Sequence, residues 1–98
     1  MAADEVDPGG HRKARATHER AAGTHDRAAK LHEESASLHE EHAQEMRDYD
    51  RPESVERAEQ IADRERESAD RERAAADEQR RKAKIEQRAA DDASAASD

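Results

Sequence analysis

Histidine is the side chain with the most chemistry to offer in this sequence, and its placement is periodic. His11, His18, His25, His32 and His39 recur at every seventh position, and His42 follows three residues after the last of them. Imidazole suits Zn²⁺, Cu²⁺ or Ni²⁺, and a carboxylate can complete such a ligand set. Positions seven apart on a helix lie about 10.5 Å apart along its axis, too far to share one ion. His39 and His42, three apart on one helical face, escape that limit, and Glu65 is the carboxylate that a folded-back second helix would bring to them. His39, His42 and Glu65 are thus the expected site for Zn²⁺ or another divalent transition metal. His18, His25, His32, Glu72 and Glu86 are secondary candidates.

The same histidines support two readings without a metal. Core imidazoles hydrogen-bonded to carboxylates across an interface can act as polar layers that set register. Alternatively, protonation of all six below roughly pH 6.5 would carry the formal charge from −8 to −2, which makes a pH-responsive helical switch conceivable. Enzymatic chemistry finds no support. There is no Cys nucleophile, thiolate ligand or disulfide, no Gly-rich phosphate loop and no nucleophile elbow. The expectation is a non-enzymatic protein.

The elements that must position these histidines are helices. The first segment reads HRKARAT, HERAAGT, HDRAAKL, HEESASL, HEEHAQE, a repeat of period seven. With histidine at position a, Ala14, Ala21, Ala28, Ser35, His42 and Tyr49 fall at d, and Ala22, Ala29, Ala36, Ala43, Leu31 and Leu38 at e and g. The apolar arc spans roughly 160°, centred between a and d, so the histidines sit within the stripe. A second heptad segment carries Val55, Ala62, Ala69, Ala76, Ala83 and Ala90 in one column, with Ala58, Glu65, Glu72, Gln79 and Glu86 three residues on. Glu53–Arg57, Glu67–Arg71, Asp77–Arg81 and Glu78–Lys82 are (i, i+4) pairs that would support this helix.

Between the segments stands Asp48-Tyr49-Asp50-Arg51-Pro52-Glu53, where proline suits a helix start and an acid its first turn. The expected organisation is a flexible arm over 1–10, a helical hairpin over 11–90 and a disordered tail over 91–98. Within the hairpin, the first helix spans about 11–49, the hinge 50–52 and the second helix about 52–90. Residue numbers of facing positions are expected to sum to 104. That register pairs His18 with Glu86, His25 with Gln79, His32 with Glu72 and His39 with Glu65, and sets Tyr49 against Val55.

Composition alone would permit disorder. Of 98 residues 45% are charged and 22 are alanine, with a single aromatic group, so the folded reading rests on the matching His and Glu columns. The fold class is therefore all-α, an antiparallel coiled-coil-like hairpin able to dimerise into a four-helix bundle. Charge is uneven along it. Residues 11–30 hold six basic and two acidic groups, 32–50 one and seven, 53–73 five and eight, and 77–88 five and three. Two hairpins laid antiparallel would match acidic with basic ends and bury Leu31, Leu38 and Ile61. A homo-oligomer, or another helical protein, is the expected partner. The stretch HRKARATHERAAGTHDRAAK reads as a solvated helix face rather than a nucleic-acid surface, since acids interrupt it and no aromatic group is present to stack. With no apolar leader and no run of 18 apolar residues, neither a signal peptide nor a membrane span is expected, and the cytoplasm is the default location.

In the repeat HERAAGT–HDRAAKL–HEESASL–HEEHAQEM followed by RPESVERAEQIADRERESADRER, residues 11–88 resemble small uncharacterised helical proteins of high-GC actinobacteria with HxxAAxL heptads and a Pro-Glu hinge. The resemblance is one of pattern and implies no particular activity. The first helix also loosely resembles exported bacterial small metal-binding proteins, bundles with repeating His-Ala units. The expected function is an interaction or assembly module built on a His–Glu seam, with metal binding or storage as the alternative and the pH switch as a second one.

Overall fold

In the computed structural model, which describes residues 7–97, the chain forms α1 (Pro8–Asp48) and α2 (Pro52–Ser97), packed as an antiparallel hairpin with no strand among the described residues. The hairpin fold is as expected. Its helix bounds are wider.

Asp7 and Pro8, read as part of a flexible arm, form a helix cap. The Gly10 amide donates to Asp7 Oδ1 at 2.7 Å, and the His11 amide closes the first helical turn on the Asp7 carbonyl at 3.1 Å. Aspartate at the N-cap followed by proline at the first helical position is a strong start signal, which carries the two glycines that follow. Residues 1–6 of the expected arm lie outside the described residues. The expected disordered tail is also corrected as far as Ser97, through which α2 continues, and Asp98 lies outside the described residues. Alanine-rich sequence favours helix there, Gln87 Nε2 donates to Asp91 Oδ1 at 2.8 Å, and Arg12 reaches Ser94 Oγ at 3.2 Å.

The reversal is a tight cap-to-cap turn. Asp50 adopts a left-handed backbone, φ 53°; its amide donates to the Arg47 carbonyl at 3.0 Å, and the Arg51 amide donates to that of Met46, also at 3.0 Å. This is the Schellman arrangement, with aspartate where glycine is commoner. Arg51 then caps α2, and Pro52 and Glu53 occupy its first turn. Tyr49, expected to cover Val55, is exposed.

The chain divides into two compact units: a hinge unit, His25–Ala74, and a terminal unit, formed by the described parts of Met1–Thr24 and Ala75–Asp98. In both, every fully buried side chain is alanine. The hinge unit buries Ala29, Ala36, Ala43, Ala58, Ala62 and Ala69; the terminal unit buries Ala22, Ala76, Ala83 and Ala90. On α1 this is the column four residues after His18, His25, His32 and His39, not the expected d column of Ala14, Ala21, Ala28 and Ser35, which is only half-buried. The buried column thus lies one residue, or about 100°, round α1 from the d column. The two columns differ in their later members: d runs into His42 and Tyr49, whereas the buried column is alanine from position 22 to position 43, between Arg15 and Asp50. Small side chains let two helices approach closely, and a methyl group contributes only roughly 0.8 kcal/mol when buried, so contacts flanking the seam matter for its specificity.

Candidate functional site

Along one side of the alanine seam runs a ladder of imidazoles and carboxylates. In the hinge unit, His25 Nδ1 lies 2.6 Å from Glu72 Oε2, and His32 Nδ1 lies 2.6 Å from Glu65 Oε2. In the terminal unit His11 Nδ1 makes the same contact with Glu86 Oε2 at 2.6 Å, and His18 Nδ1 contacts Gln79 Oε1 at 2.7 Å. A carboxylate can only accept, so in each acidic rung Nδ1 is the donor and, in the neutral imidazole, Nε2 keeps its lone pair. All four histidines are half-buried.

These rungs correct the expected register by one heptad. Facing residue numbers sum to 97 rather than 104: His18 meets Gln79 instead of Glu86, His25 meets Glu72 instead of Gln79, and His32 meets Glu65 instead of Glu72. Glu65 is consequently not the partner of His39. His39 is half-buried at the level of Ala58, and His42 is exposed. The expected trio His39, His42 and Glu65 is not brought together, and among the described residues no three His, Asp or Glu side chains are grouped to hold an ion. Glu86 instead accepts from His11, which the expected register left without a partner.

On the other side of the seam, within the hinge unit, stand three cross-helix ion pairs: Glu33 with Arg73, Glu40 with Arg66, and Arg47 with Glu59. Asp70 and Asp63, one turn earlier on α2, hold the first two arginines at 3.4 and 3.3 Å. Ala36 and Ala69 border one shallow groove beside these pairs, and Ala43 and Ala62 another. Acid lies on α1 and base on α2 in two pairs, and the order reverses in the third. That reversal explains the register. A slip to the expected alignment would leave Glu33 and Glu40 facing arginines but press Arg47 against Arg66; a slip the other way would set Glu40 against Glu59. Exposed pairs contribute only about 0–1 kcal/mol each, but a like-charged rung turns a small gain into a small loss.

Of the expected (i, i+4) pairs, Arg81 binds Glu78 and Arg71 donates to Ser68 Oγ at 3.0 Å, both three residues back. The Arg81 hydrogen bond and charge hold the Glu78 carboxyl below its ordinary range.

The large aliphatic groups lie outside the seam. Leu31 and Leu38 are 66% and 64% exposed, and Ile61 on α2 is half-buried. One heptad and two heptads before Leu31, the terminal unit has Thr24 and Thr17, each bonded to its own helix backbone at 3.1 and 3.0 Å. No helix is long and apolar enough to cross a membrane among the described residues. No protein-family model, curated protein or solved structure matches the chain.

Proposed function

We propose that this hairpin is a non-enzymatic interaction module, which uses the Leu31–Leu38–Ile61 face of its hinge unit to bind another helical surface. One observation carries the reading: alanine fills the whole interior, while Leu31 and Leu38 stand outside on one helical face. Scattered exposed leucines are ordinary, but two at heptad spacing on one face of α1 form a strip of the kind that helices cover with other helices, and half-buried Ile61 stands on α2 on the same side of the seam. The His–Glu and Arg–Glu ladders then serve to hold α1 and α2 in one register and keep that strip in place. A photo-crosslinking residue at position 31 or 38, in cells producing the chain, should yield adducts of defined mass; the same residue at position 70 should not. Absence of adducts from both leucine positions would refute the reading.

The carboxylate-held imidazoles favour a second reading, transition-metal binding. Histidines that ligate metals commonly donate their other ring nitrogen to a carboxylate, as His25 and His32 donate to Glu72 and Glu65. An ion would then take its remaining ligands from another molecule. Calorimetric titration of untagged protein with Zn²⁺ should give heat that His25→Ala and His32→Ala together abolish; an unchanged isotherm argues against these ligands.

A further inference from the structure

Resting on the interaction reading, we infer that the partner is a second copy of this chain, packed hinge unit against hinge unit so that α1 of each copy lies over α2 of the other.

Rim charge is the first argument. On α1 the exposed column next to Leu31 and Leu38 carries Glu34 and Glu41, and on α2 the column next to Ile61 carries Arg57 and Arg64. The His32–Glu65 rung sets position 34 level with 63 and position 41 level with 56. A twofold axis parallel to the helices brings the α1 rim of one copy over the α2 rim of the other at equal height. Glu34 then meets Arg64 of the second copy and Glu41 meets its Arg57, each within one residue of level, and symmetry repeats both contacts. One like-charged rung, Arg27 with Arg71, adjoins them, and Arg71 is turned toward Ser68 of its own helix.

Apolar matching is the second argument. Position 61 is level with 36, so Ile61 of the second copy falls within two residues of Leu38, about 3 Å along the axis. The α1 half of this strip belongs to the hinge unit: the equivalent α1 positions of the terminal unit are Thr17 and Thr24, and the terminal unit's exposed Ile85 stands on α2, in the column of Arg57 and Arg64.

The chain has no cysteine, so introduced thiols report contacts cleanly. The expected results are sedimentation at twice the 11.0 kDa chain mass, and a dimerisation constant weakened at least about 100-fold by Leu31→Ser with Leu38→Ser, the helical circular dichroism being retained. Mixing Glu34→Cys chains with Arg64→Cys chains and a short bis-maleimide should give the mixed dimer in preference to either like pair. A monomeric wild type overturns the inference, as does crosslinking of Glu34→Cys to Arg27→Cys instead, which marks an antiparallel pairing. Photo-adducts at positions 31 and 38 whose mass fits another protein would overturn the self-pairing and leave the interaction reading standing; no adduct at all would remove both.

Discussion

The hinge and terminal units share a heptad plan and an alanine interior, yet they are held by different chemistry. In the hinge unit both imidazole rungs end on carboxylates, and three Arg–Glu pairs flank the seam on its other side. With 9 basic and 16 acidic groups it carries a net −7. In the terminal unit one imidazole rung ends on an amide, Arg15 and Arg12 reach the neutral Gln87 and Ser94, and the described residues carry 9 basic and 7 acidic groups, a net +2. A repeating sequence thus supplies the same scaffold twice, whereas its departures from the repeat decide what each unit does. The hinge unit has the register-setting charges and the exposed leucines; the terminal unit has neither set.

The largest effect should come from filling the seam they share. Ala36→Leu in the hinge unit and Ala76→Leu in the terminal unit each force an isobutyl group between closely packed helices, where overpacking costs about 1–3 kcal/mol or more. Both should lower the melting temperature. Hydrogen exchange should show the loss centred on the unit that carries the substitution, and equal loss in both units would mean that the hairpin opens as one body.

Register should depend on the hinge unit and on one rung of it. Exchanging the charges of the last pair, Arg47→Glu with Glu59→Arg, keeps an ion pair there and should change stability by less than about 1 kcal/mol. It also makes the ladder uniformly acid on α1 and base on α2, so that a heptad slip no longer meets a repulsive rung. Thiols at positions 32 and 65 should then crosslink less completely than in an otherwise unaltered background, while thiols at 39 and 65 begin to do so. Undiminished crosslinking between 32 and 65 would show that the Asp50 turn alone fixes the register.

The same slip separates what the sequence reveals from what it hides. Helices, hinge and the facing of a histidine column to a glutamate column follow from heptad spacing and from Pro52. The identity of each rung does not. Glu65, Glu72, Gln79 and Glu86 present nearly the same series to His18, His25, His32 and His39 as to His11, His18, His25 and His32, so a periodic match cannot distinguish two alignments seven residues apart. Aperiodic residues distinguish them: the reversed pair Arg47–Glu59, the left-handed Asp50, and the Asp7–Pro8 cap that places His11 inside the helix. The candidate metal trio rested on the alignment that these residues exclude. The buried alanine column was visible as well, and it differs from the d column in its later members, where the latter runs into His42 and Tyr49.

A smaller effect should follow from exchanging the imidazole partners of the two units. Hydrogen bonds to a charged group contribute about 1.5–3 kcal/mol and neutral ones about 0.5–1.5 kcal/mol, and half-exposure reduces the difference. Gln79→Glu should therefore stabilise the terminal unit, and Glu72→Gln weaken the hinge unit, by about 0.5–1 kcal/mol each. Amide exchange of residues flanking the altered rung reads this directly. Opposite signs at neutral pH would mean that desolvation of the carboxylate outweighs its hydrogen bond.

Least of all should depend on Glu78 in the terminal unit, although its carboxyl is held below the ordinary range by the Arg81 hydrogen bond and charge. A carboxyl depressed in the folded state favours folding above its unfolded pKa, and that contribution disappears as pH falls through the folded value. Glu78→Gln should consequently lower stability slightly at neutral pH and leave it unchanged in strong acid, so that the two melting curves converge as pH drops. Because the group is exposed, solvent screens the pair, and added salt should close the remaining gap at neutral pH. A gap that survives salt would mean that Glu78 supports α2 through helix geometry rather than through its charge, and the Asp77–Arg80 pair beside it would then need the same test.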